Sequence, residues 1–174
     1  IGVFIFLNMW IIRSEVSNAL DKLFVKNIST GKEEELIFSN EKVYVPNISL
    51  KQKDRNTDEI YIGYSCPKTP SRVYSFNLLT KSKQLVKEQE IPSGHNPDNY
   101  IVERIKAKSH DGRMIPISLV RLKNSKQDGK SKILLYAYGA YKHSISPSFS
   151  ASRFCLVDRG ITFAIAHVRG GGDL

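Results

Sequence analysis

The sequence predicts a chain in two parts, an all-β repeat region followed by an α/β unit with parallel strands. Three observations carry this. Short apolar runs separated by turn formers fill the first ninety or so residues. Part of their pattern returns about fifty positions later. Near the end, two continuous apolar runs are separated by about twenty residues, enough chain for the crossover of a dozen or more that parallel strands need.

At 174 residues, 41% apolar and 25% charged, the chain has the composition of a soluble globular protein and room for one ordinary domain or parts of two. It begins at Ile1 and stops in a glycine turn, so a piece of something longer is expected. The net charge of +9 raises the question of nucleic acid. The lysines are scattered, however, and the densest group, Lys123, Lys126, Lys130 and Lys132, has no interleaved aromatics. A solvated lysine-rich surface is the expectation, with no nucleic-acid partner. Cys66 and Cys155 have neither metal nor disulfide spacing, which suits a reducing, cytoplasmic setting. The apolar opening from Ile1 to Ile12 lacks basic residues before it and is too short to span a bilayer. It is expected to be a buried strand, with no membrane involvement.

In chain order, Lys22 to Ile28 reads as a strand, then Ser29-Thr30-Gly31-Lys32 as a turn, then Glu35 to Phe38 as a strand. Ile60 to Ser65, Arg72 to Leu78 and Gln84 to Val86 follow, separated by Cys66-Pro67-Lys68-Thr69-Pro70 and Thr80-Lys81-Ser82-Lys83. Leu23-Phe24, Asn27-Ile28 and Thr30 recur as Val73-Tyr74, Asn77-Leu78 and Thr80, and Trp10-Ile11-Ile12 is answered by Ile60-Tyr61-Ile62. A period near fifty in all-β sequence is the mark of propeller blades, whose remaining members would lie upstream of Ile1. A small sandwich is the alternative.

Residues 93–99, rich in turn formers from Ser93 to Asn99, predict a linker between a β region over 1–92 and a second unit over 100–174. Tyr100 to Lys108 and Met114 to Leu122 predict two strands joined by a hairpin at His110-Asp111-Gly112-Arg113. Pro116 removes a ladder donor, so this hairpin is expected at a sheet edge. Ile133 to Tyr138 lacks polar alternation and predicts a strand buried on both faces. After Pro147, Ser148 or Ser150 can cap a helix carrying Phe149, Phe154, Leu156 and Val157, with Gly160 at its stop. Ile161 to Val168 then predicts the second parallel strand. Chemistry in such sheets lies beyond the carboxyl ends of the strands, where this chain places Gly139-Ala140-Tyr141 and Arg169-Gly170-Gly171-Gly172-Asp173.

Several motif readings fail on position. Gly129-Lys130-Ser131 precedes a strand where a phosphate loop would follow one, and the glycine triplet lacks dinucleotide spacing. His95, His110, His143 and His167 share no metal-ligand spacing. Gly63-Tyr64-Ser65-Cys66-Pro67 has proline where a nucleophile elbow needs its last glycine.

Taken together, Tyr136-Ala137-Tyr138-Gly139-Ala140-Tyr141, Ser146-Pro147-Ser148-Phe149-Ser150, Arg153, Asp158-Arg159-Gly160 and Phe163 through Asp173 resemble the prolyl oligopeptidase family of serine peptidases, in particular its oligopeptidase B group. The resemblance spans the whole chain as an internal fragment. It implies the last blades of a β-propeller followed by the start of an α/β-hydrolase domain. The implied activity is a serine oligopeptidase cutting short peptides after Lys or Arg, without metal or organic cofactor. By position, Tyr138 is the side-chain oxyanion donor, Tyr141 lies on the substrate-facing loop, and Arg169 binds and frames the site from the neighbouring strand. The family's nucleophilic serine, aspartate and histidine have no counterpart in these residues, so the chain alone is expected to be inactive. The implied partners are short basic peptides and, where the triad is not in the same polypeptide, a separate chain carrying the missing catalytic half. The alternative is an inactive remnant whose blades survive as an interaction module.

Overall fold

The computed structural model describes residues 2–48, 54–126 and 128–171. Its first part is two antiparallel four-stranded meanders. One comprises β1 (Phe4–Leu7), β2 (Trp10–Ser17), β3 (Leu20–Asn27) and β4 (Glu33–Glu35) in that spatial order. The other comprises β5 (Val45–Ile48), β6 (Glu59–Cys66), β7 (Thr69–Asn77) and β8 (Lys83–Glu88). The apolar opening is therefore a hairpin and not one buried strand. Asn8, at φ 35°, turns the chain, and Phe4 and Phe6 stand exposed on β1. Three residues pair as β4, the Leu36 N–H still reaches the Leu23 carbonyl at 2.8 Å, and the apolar Leu36 and Phe38 are buried in the core between the meanders. β5, with proline and asparagine inside it, had no apolar run to announce it.

The repeat is physical at the turn after the third strand. Asn27 Oδ1 accepts the Thr30 N–H at 3.0 Å, and Asn77 Oδ1 accepts the Thr80 N–H at 2.9 Å. Each asparagine carbonyl also accepts from the residue four on, Gly31 and Lys81, both left-handed at φ 71° and 60°. One strand earlier, the apparent match is out by one residue. Trp10 lies opposite Asn27, whereas the residue opposite Asn77 is Glu59, and Ile60 faces Phe76. The structural counterpart of Ile12 is thus Tyr61, which is exposed. A shift of one residue moves every side chain to the other face. The first meander buries Trp10, Ile12, Leu23 and Val25, while the second buries Ile60, Ile62, Phe76 and Leu78 from the opposite face of the same framework. Matching buried residue to buried residue aligned opposite faces. Stacking front to back in one sense is how propeller blades repeat around an axis.

The two blades share one core and are tied at its margin. The Trp10 indole N–H donates to Asp58 Oδ1 at 2.7 Å, the Asn8 N–H to the Arg55 carbonyl at 2.7 Å, and the Lys81 ammonium pairs with Glu34.

The second part is a four-stranded sheet of order β11-β12-β10-β9, formed by β9 (Tyr100–Lys108), β10 (Met114–Leu122), β11 (Ile133–Ala137) and β12 (Thr162–Ala166). β9 and β10 have their predicted bounds. Their turn is a tight turn closed by the Gly112 N–H on the Ser109 carbonyl, with Gly112 at φ 83°. Of the two hairpin strands only β9 is an edge, because β10 pairs with β12 on its other side. Pro116 is tolerated there because its carbonyl, and so its missing N–H, faces the end of β12, where only the His167 N–H reaches across at 2.9 Å. β11 and β12 run parallel, with Ala137 level with Ala166.

β11 is not buried on both faces. All five of its residues are exposed, because the strand lies at the sheet's edge and has one neighbour among the described residues. The single α-helix among the described residues, α1 (Ala151–Val157), packs on β12 and β10 instead. Ser150 is its N-cap without a side-chain capping bond, and Gly160 follows its end at φ 81°. A helix of this length is marginal in isolation. It is held by Phe154 and Val157, both buried in one cluster with Val120, Phe163 and Ile165 and contributing about 1.5–3 kcal/mol each.

Blades and sheet meet along a polar and aromatic seam. Leu20 and Val43, from the first blade and the connection after it, join the core of the sheet. Ser65, the serine of the false elbow, is buried; it accepts the Phe149 N–H at 2.9 Å and donates to the Thr69 carbonyl. His95 stacks on Tyr100 at 5.1 Å, meets Phe154 edge-on at 4.5 Å, and bonds the Lys68 carbonyl through Nε2 at 2.6 Å.

Tyr100 donates its hydroxyl to Asp158 Oδ1 at 2.6 Å, and burial together with that carboxylate pushes its pKa up to about 12. A phenol whose pKa is raised on folding stabilises the fold fully below its unfolded value, near 10. That contribution is lost as the pH climbs from about 10 to about 12. Urea unfolding followed across this range is expected to show a steeper alkaline loss for the wild type than for Tyr100→Phe. Equal slopes would remove Tyr100 as the group responsible.

Candidate functional site

The carboxyl ends of β11 and β12 lie side by side, and the two chains leave them through glycine. A Cβ on Gly139 would come within 2.4 Å of Val168 Cγ2, and one on Gly170 within 1.6 Å of the Gly139 carbonyl oxygen. At Gly139 the obstacle is the Val168 methyl, whereas at Gly170 it is the Gly139 backbone, so the two turns meet backbone to backbone there. Arg169 to Gly171 forms a single 3-10 turn, closed by the Gly171 N–H on the Val168 carbonyl at 3.0 Å. Gly172 and Asp173 lie outside the described residues.

Tyr138 immediately precedes Gly139 and is 39% exposed, with the ring of His143 edge-on at 5.8 Å. Tyr141 is 92% exposed. It and Lys142 both adopt left-handed backbone, at φ 55° and 56°. Two successive non-glycine residues in that region cost of order 1–3 kcal/mol each, a kind of strain that clusters at ligand-facing loops. The structure thus brings Tyr138 and Arg169 to one edge of the sheet and places Tyr141 beyond them in solvent.

Two features of this edge had no signal in the sequence. Arg169 Nη1 pairs with Asp111 Oδ2 at 2.5 Å, across from the tip of the β9–β10 hairpin. The Arg113 N–H and the Arg169 guanidinium hold the Asp111 carboxyl below the usual carboxylate range. Behind the edge, His167 and Ser118 are both buried and joined at 2.9 Å. Arg104 donates to the same Ser118 hydroxyl at 3.1 Å and, through its other terminal nitrogen, to the Asn18 carbonyl in the first blade. The Arg169–Asp111 and His167–Ser118 contacts require β10 to lie beside β12, and strand order could not be read from spacing. Among the described residues no group of three His, Cys, Asp or Glu is placed to hold a metal ion.

No family model matches the chain. It is 35% identical over 162 residues to the dipeptidyl aminopeptidase BI of Pseudoxanthomonas mexicana, covering 92% of this chain and 22% of that protein. Among solved structures, oligopeptidase B from Leishmania major superposes with a TM-score of 0.88 at 25% identity, over 99% of this chain and 25% of that one. Oligopeptidase B from Trypanosoma brucei, with covalently bound antipain, gives 0.87 at 30% identity, over 98% and 25%. The chain therefore spans about a quarter of the length of the proteins it matches. Two propeller blades leading into the opening strands of an α/β-hydrolase sheet, shared over nearly every residue with these enzymes, place the chain in the prolyl oligopeptidase family.

Proposed function

We propose that the chain is the propeller-to-hydrolase stretch of a serine oligopeptidase that cuts short peptides after Lys or Arg, in the manner of oligopeptidase B. The observation that carries this reading is Tyr138, which leaves the carboxyl end of a parallel strand at a turn where Gly139 and Gly170 touch. A hydroxyl donor at that edge can stabilise the oxyanion of acyl transfer. In this reading residues 1–92 are propeller, 93–99 the linker and 100–174 the start of the catalytic domain. Tyr141 contacts substrate from its strained loop, and Arg169 frames the site. The enzyme works in the cytoplasm, where Cys66 and Cys155 are free thiols.

The likeness to a dipeptidyl aminopeptidase favours a second reading, in which the enzyme acts at free amino termini. Peptide reporters carrying Lys or Arg with blocked and with free amino termini separate the two. Hydrolysis of the blocked reporters supports the oligopeptidase, and strict dependence on a free terminus overturns it in favour of the aminopeptidase.

A serine-directed fluorophosphonate tests the shared premise. The 174-residue chain alone is expected to remain unlabelled and to hydrolyse no Lys or Arg reporter, because covalent labelling requires the nucleophile itself. Joined to a downstream segment carrying a Gly-Gly-Ser-x-Gly-Gly block, Asp and His, it is expected to be labelled at that serine. Labelling of any serine within the 174 residues would refute the assignment. An unlabelled joined protein would favour the inactive interaction module.

A further inference from the structure

We propose that Asp111, at the tip of the β9–β10 hairpin, is a positioning residue that sets the oxyanion edge through Arg169. This rests on the peptidase reading of Tyr138 and adds to it a residue on a different strand pair. The hairpin tip stands at the catalytic edge because β10 runs antiparallel to β12. Ile117 lies opposite Ala166, and the chain preceding it overhangs the carboxyl end of β12. Asp111 uses its two oxygens in different directions. Oδ1 accepts the Arg113 N–H at 3.2 Å, which fixes the carboxylate to its own turn, and Oδ2 holds Arg169 at 2.5 Å.

From Arg169 the connection is backbone. The next residue, Gly170, sits against the Gly139 carbonyl so closely that no Cβ fits between them, and Gly139 follows Tyr138. A displacement of Arg169 therefore has no side chain to absorb it before it reaches the Tyr138 turn. The ordinary reading of this pair is a surface salt bridge. At 43% and 30% side-chain exposure it contributes little to stability, so its removal is a clean test of position.

The test uses the parent enzyme, or this chain joined to a catalytic segment as above. Misplacing a catalytic group by about an ångström costs up to a hundredfold in rate. On that scale Asp111→Asn is expected to lower kcat by roughly tenfold, with KM within about twofold and little change in the urea midpoint. Asp111→Glu, which keeps the charge, is expected to restore kcat to within about threefold of wild type. Hydrogen exchange at the buried Gly171 amide reads the same turn without catalysis and is expected to quicken about tenfold in Asp111→Asn. A wild type that takes no fluorophosphonate defeats the peptidase reading, while the exchange result still decides whether Asp111 holds the turn. Unchanged kcat, or unchanged Gly171 exchange, in Asp111→Asn overturns the proposal. So does a loss confined to the unfolding midpoint.

Discussion

Tyr138→Phe is expected to lower kcat of the active enzyme by roughly a hundredfold to a thousandfold while leaving KM within a few fold, the cost of losing one oxyanion donor. The substitution removes a hydroxyl and keeps the ring, so its edge contact with His143 at 5.8 Å survives. A donor that strengthens as charge develops on the scissile oxygen lowers the barrier by about 3–4 kcal/mol, and that energy appears in kcat because the ground state does not share it. The competing explanation for a tyrosine at a strand end is packing. Tyr138 is more than a third exposed, so packing alone predicts a small effect on stability and none specific to turnover. A kcat within about threefold of wild type, or an effect confined to KM, would reassign Tyr138 to packing or ground-state binding.

Gly170→Ala should be as damaging, for a steric reason. Its Cβ would sit 1.6 Å from the Gly139 carbonyl oxygen, and the obstacle is backbone, which cannot rotate away as a side chain can. One of the two turns has to move by an ångström or more, enough to cost about a hundredfold in kcat where reacting groups are held in line. Overpacking of this kind also costs about 1–3 kcal/mol of stability. Activity and urea unfolding measured on the same protein test both consequences. Gly160→Ala is the control: no atom lies within 4 Å of its Cβ position, so only its left-handed φ of 81° resists. It should destabilise modestly and spare kcat. Equal kcat losses in the two variants would show that general destabilisation, and not contact between the turns, governs this edge.

Tyr138, Tyr141 and Arg169 are singled out because the resemblance and the position of the strand ends point to the same residues, and their proposed roles rest on the variants described above. Asp111 was legible only as half of an Asp-Gly hairpin. Its partner is 58 residues away and is reached only through the antiparallel pairing of β10 with β12. Ser65 stood out for the wrong reason: a near-miss nucleophile motif is in fact a buried hydroxyl joining blade to sheet.

By itself the sequence determined the elements whose signals are local. The bounds of β9 and β10, the Asn27 and Asn77 turns, the helix at Ala151–Val157 and the parallel relation of β11 to β12 all follow from turn chemistry, capping and crossover length. Tertiary structure alone decided which face each element buries. Alternation reports that one side of a strand is apolar and says nothing of which neighbour covers it. Successive blades therefore bury opposite faces of the same framework, and β11, a strand without polar alternation, lies exposed at an edge. Burial depends on what stands opposite, and that is settled only when distant strands are brought side by side.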